Sequence, residues 1–339
     1  MRILTAAGVI ALALVLFALW LLAPVEPVAA TYETSECRRV EVTASDTGLP
    51  ISGAEDLALM PDGDSLILSA HDRRDPDHPD GGLYRISVWG IDGADRYQAQ
   101  KVTREGAGET NFRPHGIALS GDGTRLAVIN RDAPGQASIE IGNLEGAAWF
   151  VTRRLAGQTL CRANDLNFLS ADSELLEITL DRQDCGISMS DLLPNSTTGR
   201  TALWDGSRLA ISRTGLTFPN GIFGPYIAET RKSRVLRPAG EPIRLPGGPD
   251  NITAQDRRTL LIAVHPSLRR LWLYLNGVWP SAPSRVVRVN VLSSAVEVLF
   301  DDATGSLFSG ATSAVFAKDM LIVGSVADDG LLVCQKGRT

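Results

Sequence analysis

Six pairs of residues at recurring positions carry the chemistry to be expected of this chain. Each stands immediately before a short apolar run: Glu55-Asp56, His115-Gly116, Asn164-Asp165, Asn220-Gly221, Asp250-Asn251 and Ala311-Thr312. Together they hold four carboxylates, three side-chain amides and one imidazole. Ionised carboxylates that converge in a buried place repel one another and are costly to desolvate without a counter-charge. No Lys or Arg occupies any of these positions. A bound cation resolves the conflict. The donors are hard oxygens with no cysteine among them, which suits Ca²⁺, with its six to eight oxygen ligands, better than Zn²⁺. The tandem pairs Glu55-Asp56 and Asn164-Asp165 point to two ions, because adjacent residues of a strand face opposite ways. Turn capping is the alternative reading of any single Asx residue, but it does not account for recurrence in phase. His115 shares that phase and is suited to activate water as a general base.

The elements that must position these residues repeat with them. Leu57 opens LALMPDGDSLILSA, Ile117 opens IALSGDGTRLAVIN, Leu166 opens LNFLSADSELLEIT, Ile252 opens ITAQDRRTLLIAVH and Ser313 opens SAVFAKDMLIVGSV. Each reads as a strand, a polar turn and a second apolar strand. A weaker copy, IFGPYIAET, begins at Ile222 with a shortened turn. Helical periodicity is almost absent after residue 50. Six such hairpins, each followed by room for two outer strands, predict an all-β fold, a six-bladed β-propeller. A β-sandwich competes but does not repeat one hairpin six times. In a propeller the first strand of each blade lines the central channel, so the six pairs converge on the axis.

Two segments interrupt the pattern. His71 to Gly82, HDRRDPDHPDGG, reads as a long surface loop, either a cover over a site or simply solvated, and it holds His71 and His78. Leu268 to Pro280, LRRLWLYLNGVWP, forms either an apolar wall or an outer strand.

The chain has 339 residues, 44% of them hydrophobic, and a net charge of −6. That charge argues against a nucleic-acid partner. Ala6 to Ala23 is an uncharged run behind Arg2, followed by the small residues Val28-Ala29-Ala30. Residues 1–30 therefore read as a hydrophobic helix, either a retained membrane anchor or a cleaved signal peptide, and residues 31–339 as the propeller body. Either way the body is exported, which fits four cysteines: Cys37, Cys161, Cys185 and Cys334. Four cysteines allow three pairings. A Cys37–Cys334 bridge would close a ring and leave Cys161 and Cys185 to pair locally or remain buried thiols.

The segments GAEDLALMPDG, RPHGIALSGDG, CRANDLNFL, FPNGI, PGGPDNIT and HPSL, in this order from about Cys37 to Cys334, resemble the paraoxonase/arylesterase family. That family belongs with the gluconolactonase-like propellers. The resemblance implies two axial calcium ions. The catalytic ion would be held by Glu55, Asn164, Asn220, Asp250 and Asn251. The structural ion would take Asp56, Asp165 and the backbone carbonyl of Ile117. It also implies a Cys37–Cys334 disulfide, an uncleaved N-terminal segment, hydrolysis of lactones and aryl esters with His115 as base, and a further site histidine at His265. His71 is a second candidate for the substrate pocket. One departure concerns the second histidine of the family's pair. The corresponding stretch, INRDAPGQASIEI, offers Arg131 and Asp132 instead, with Asp132 a candidate to orient His115. A sugar lactonase of the gluconolactonase type and a non-catalytic, calcium-stabilised binding scaffold are the competing functions. An aliphatic or aromatic small-molecule lactone or ester is the expected partner.

Overall fold

The computed structural model describes residues 12, 15, 20–21, 23–75, 81–108, 111–133, 135–170, 174–186, 193 and 195–337. The apolar run of residues 6–23 falls mostly outside these, as does His78. Among the described residues no helix is long and apolar enough to cross a membrane.

The described chain is built of antiparallel meanders in five hydrogen-bonded sheets: one of eight strands, one of five and three of four. Strands are numbered in chain order. The first strands of the meanders are β2 (Ala54–Leu59), β7 (Pro114–Leu119), β11 (Ala163–Phe168), β15 (Pro219–Phe223), β19 (Gly248–Asp256) and β23 (Ala311–Ala317). Each packs against the next, and β23 packs against β2, so these strands form a closed ring. This is a β-propeller. Closure buries the two sheet faces that an open stack would leave exposed at its ends.

The eight-stranded sheet shows how the ring is sealed. Strand β1 (Cys37–Ala44) pairs antiparallel with β25 (Leu331–Gln335) through its first half and parallel with β5 (Arg96–Lys101) through its second. The N-terminal strand thus completes the last meander and ties it to the first. Cys37 lies opposite Cys334 in that pairing and is disulfide-bonded to it. Cys161 and Cys185 form the second disulfide. Two disulfides mark a protein that folds in an oxidising, extracytoplasmic compartment.

The strands alternate faces to fill the space between sheets. Val40, Val42, Leu57, Leu66, Leu68, Ile86, Ile322 and Val333 are fully buried in one cluster. The fourth meander is the smallest, with strands of five, four, three and two residues.

Of the two expectations for Leu268 to Pro280, the outer strand does not hold: Leu268–Leu275 is a helix. Ser267 caps it, its side chain accepting the Arg270 amide, and Leu268, Leu271, Trp272 and Leu275 fall at helical spacing on one face. The segment is therefore a wall above the ring rather than a rung of a sheet.

Candidate functional site

Every first strand breaks its register at the residues singled out above. The irregularities fall between Ala54 and Asp56, Pro114 and Ile117, Ala163 and Leu166, Pro219 and Ile222, Pro249 and Ile252, and Ala311 and Ser313. A bulge re-aims side chains at the point where regular pairing is lost. Repeated around the ring, it places the pairs at one level of the tunnel.

The members of the pairs then separate. Glu55, His115, Asn164, Asn220, Asp250 and His265 line one cavity of about 410 Å³ at the mouth. Asp56, Asp165 and Ile117 line a smaller cavity of about 170 Å³ further along the tunnel. Asn251 is 2% exposed and lies outside the mouth cavity; its Nδ2 donates to the backbone carbonyl of Glu55 at 3.2 Å. Thr312 Oγ1 donates to the same carbonyl at 2.7 Å. The Glu55 backbone is thus held from two other meanders.

Asp56 and Asp165 play matching parts. Asp56 Oδ2 accepts the Ile117 amide at 2.8 Å and its Oδ1 the Leu57 amide at 2.8 Å. Asp165 accepts Ile222 and Leu166 in the same way, both at 2.7 Å. The residue before each cross-meander amide is a glycine, Gly116 before Ile117 and Gly221 before Ile222, packed against the meander that follows. A Cβ on Gly116 would stand 2.6 Å from the Asn164 carbonyl oxygen, and one on Gly221 would stand 2.4 Å from that of Asp250. Only glycine leaves the room.

The electrostatics of the tunnel are strained. Burial, above all, pushes Asp56 up to about 7 and Asp165 well above the usual carboxylate range, and their mutual neighbourhood of carboxylates adds to it. Burial also raises Glu55, against the pull of Arg73. Glu55 Oε2, Asn164 Oδ1 and Asn220 Oδ1 are buried without a hydrogen bond. Three orphaned oxygens on one cavity are what a hard cation would satisfy, so this donor set fits Ca²⁺. Among the described residues no group of three or more His, Cys, Asp or Glu has metal-binding geometry. The candidate set differs in leaning on the asparagine amides.

Histidines and arginines complete the mouth. His115 Nδ1 lies 3.3 Å from Glu55 Oε1, and its backbone carbonyl accepts Ser69 Oγ at 2.5 Å. Burial first, then the charges of Arg131 and Arg73, hold this imidazole well below its ordinary range. Arg73 Nη2 stands 2.7 Å from His115 Nε2 and 3.6 Å from Glu55 Oε1. His265 Nε2 is 2.7 Å from Asp250 Oδ2. Asp132 does not orient His115: its Oδ2 accepts Arg154 Nη2 at 2.7 Å. His71 lines a neighbouring cavity of about 310 Å³ that shares Arg73, His115, Arg131 and Arg162 with the mouth.

Apart from Arg131, named above beside Asp132, the arginines escaped the sequence reading, although a signal existed. His71, Arg131, Asp181, Thr230, His265 and Val326 occupy equivalent places, just past the pairing partner of each bulge, at the end of the second strand. The strings HDR, RD, DR and TR follow those strands in the first four meanders. They form a second ring, in phase with the first.

Solved structures share this architecture. A luciferin-regenerating enzyme aligns with a TM-score of 0.50 at 14% identity, covering 92% of this chain and 96% of that one. A protein of unknown function from Bacteroides thetaiotaomicron aligns at 0.55 and 11% identity, over 88% and 75%. A gluconolactonase-like protein aligns at 0.50 and 13%, over 88% and 92%. The likeness is one of fold. No protein-family model and no curated protein sequence matches the chain.

Proposed function

We propose that this chain is a calcium-dependent hydrolase of lactones and aryl esters, a six-bladed propeller of the paraoxonase/arylesterase kind. In this reading the eight-stranded sheet is two blades joined through β1, and each other sheet is one blade. The observation that carries the proposal is the set of three orphaned oxygens, on Glu55, Asn164 and Asn220, facing one cavity beside His115.

Glu55, Asn164, Asn220 and Asp250 would hold the catalytic ion, and Asp56, Asp165 and the Ile117 carbonyl the structural one. Bound at the mouth, calcium supplies Lewis-acid polarisation of the substrate carbonyl. His115 accepts the proton of the attacking water, and Glu55 beside it steadies the imidazolium that results. Arg73 must leave His115 Nε2 for that nitrogen to take the proton. His265 fixes Asp250 in orientation through its short contact. Leu268, Leu271, Trp272 and Leu275 wall the cavity on one side and exclude bulk water from an apolar part of the substrate. Residues 1–30 are assigned to export, as an anchor or a cleaved signal, and residues 31–339 to the catalytic body.

A sugar lactonase is the second reading, and the polar, arginine-rich side of the mouth favours it. The helix wall favours apolar lactones. A panel of aliphatic δ-lactones, phenyl acetate and gluconolactone, assayed with and without calcium, decides. Turnover of the first two that requires calcium supports the proposal. Turnover of gluconolactone alone supports the second reading.

A further inference from the structure

The third meander is fastened differently from its neighbours at the entry to its first strand. Three residues before the first member of each pair stand Ser52, Phe112, Cys161, Thr217, Gly247 and Phe308. Ser52 forms an isolated bridge with Asp329. The Phe112 carbonyl accepts the Gly81 amide at 2.8 Å. The Thr217 amide donates to Glu229 Oε1 at 2.7 Å and the Phe308 amide to Asp302 Oδ2 at 3.1 Å. Hydrogen bonds to another part of the fold thus hold each of these places. The Cys161 amide instead turns back into its own short turn, donating to the Gln158 carbonyl at 3.3 Å. Here the disulfide to Cys185, 24 residues on, supplies the tie.

This bridge sits where the sheet gives little support. Strand β11 pairs regularly with β12 (Leu176–Leu180) from Leu166 to Phe168 and loses that register between Ala163 and Leu166, the stretch that holds Asn164 and Asp165. Asp165 is recaptured: its amide donates to Thr179 Oγ1 at 2.9 Å and its carboxylate accepts Ile222 and Leu166. Asn164 Oδ1 is left without a hydrogen bond. Ahead of it the Asp181 amide donates to the Arg162 carbonyl at 3.0 Å and Arg162 Nε to the Asp184 carbonyl at 3.2 Å. The disulfide closes this clamp. It joins the chain entering the mouth, just before Asn164, to the chain leaving it, just after Asp181, and both of those residues line the mouth cavity.

The two disulfides also differ in access. Cys37 and Cys334 are buried in the seam of the ring. Cys185 is half-buried and lines, with Cys161, a cavity of about 410 Å³ that shares Gly135, Gln136 and Cys161 with the one holding His115. Thiol–disulfide exchange proceeds at the bond that a thiol can reach.

We infer that the Cys161–Cys185 disulfide positions Asn164 for the cation, so that the mouth gains its calcium affinity when this bridge forms. The inference rests on the calcium reading for the identity of the ligand; the positioning of Asn164 stands on the clamp. Oxidation joins the two Sγ atoms, releases two protons and passes two electrons to a disulfide oxidant of the extracytoplasmic compartment, which leaves as two thiols. A chain in which Cys161 and Cys185 are still thiols keeps a slack entry to β11 and holds calcium weakly, so metal capture follows export.

The full chain carrying Cys161→Ser and Cys185→Ser, which keeps the Cys37–Cys334 bridge, tests this against the wild type. Calcium is titrated by calorimetry into calcium-depleted protein, and hydrogen exchange is followed without calcium. The double variant is expected to bind calcium at least tenfold more weakly and to exchange faster at Ala163–Phe168, with the other first strands unchanged. Mild reduction of the wild type with dithiothreitol, with alkylation and mass spectrometry identifying the opened bridge, should reproduce both effects, and reoxidation should restore the affinity. This second arm serves where the double variant does not fold. Calcium affinity within about twofold of the wild type, or a loss of protection shared by all the first strands, overturns the inference. A wild type that binds no calcium counts against the hydrolase reading, and exchange at Ala163–Phe168 then decides the positioning alone: faster exchange supports it and unchanged exchange overturns it.

Discussion

Asp165 Oδ2 accepts the backbone amide of Ile222 at 2.7 Å, joining two neighbouring meanders. Asp56 does the same to Ile117 two meanders earlier. These bonds make the two carboxylates part of the ring itself, whatever ion they also hold. Asp165→Asn removes one accepting oxygen and leaves a buried amide unpaired, at a cost of about 2 kcal/mol. Chemical denaturation should show this loss in chelator as well as in calcium. A loss seen only with calcium present would mean that the aspartate acts through the ion alone.

Gly221, just before Ile222, is as constrained on its other side, where it packs against Asp250 and Asn251. Gly221→Ala drives a Cβ against the Asp250 carbonyl oxygen. The two strands must part, and we expect a loss of about 3 kcal/mol by denaturant titration. A neutral result would show that the ring opens locally at little cost.

These two features bear on what could be read beforehand. The pairs from Glu55-Asp56 to Asp250-Asn251 were legible because repeats align by eye and hard oxygens are conspicuous. The register breaks at Ala54–Asp56 and its equivalents were not, since a bulge depends on the partner strand. The helix at Leu268 was missed because LRRLWLYL crowds five apolar residues into eight, blurring a helical face that the Ser267 cap would have flagged. Arg73, Arg131 and Arg162 come from three different connections, and only closure of the ring brings them to one cavity. The pairs themselves carry no basic residue, and the counter-charge comes from outside them: Arg73 stands 3.6 Å from Glu55.

That proximity yields a prediction about the metal. In the proposed site Arg73 would compete with calcium for Glu55, so Arg73→Ala should tighten calcium binding about tenfold, equivalent to roughly 1.4 kcal/mol. Calorimetric titration of calcium-depleted protein measures it. Unchanged or weaker binding would place the ion away from Glu55.

The closing disulfide should matter most to the seam it spans. Cys334→Ser frees β1 from covalent attachment to β25, and the chain-entropy model gives a loss of about 5–6 kcal/mol for so long a loop. Hydrogen exchange should show the loss of protection concentrated in Cys37–Ala44. Uniform loss across all sheets would mean that the ring melts as one unit.

The proposed catalytic calcium ion would rest on Glu55, Asn164, Asn220 and Asp250. Hydrolysis of an aliphatic δ-lactone, followed in wild type and in Asn164→Ala before and after exhaustive calcium removal, is the decisive assay. Wild-type turnover should vanish with calcium and return on its addition, and Asn164→Ala at saturating calcium should turn over at least a hundredfold more slowly. Turnover that survives calcium removal undiminished would rule the ion out of catalysis.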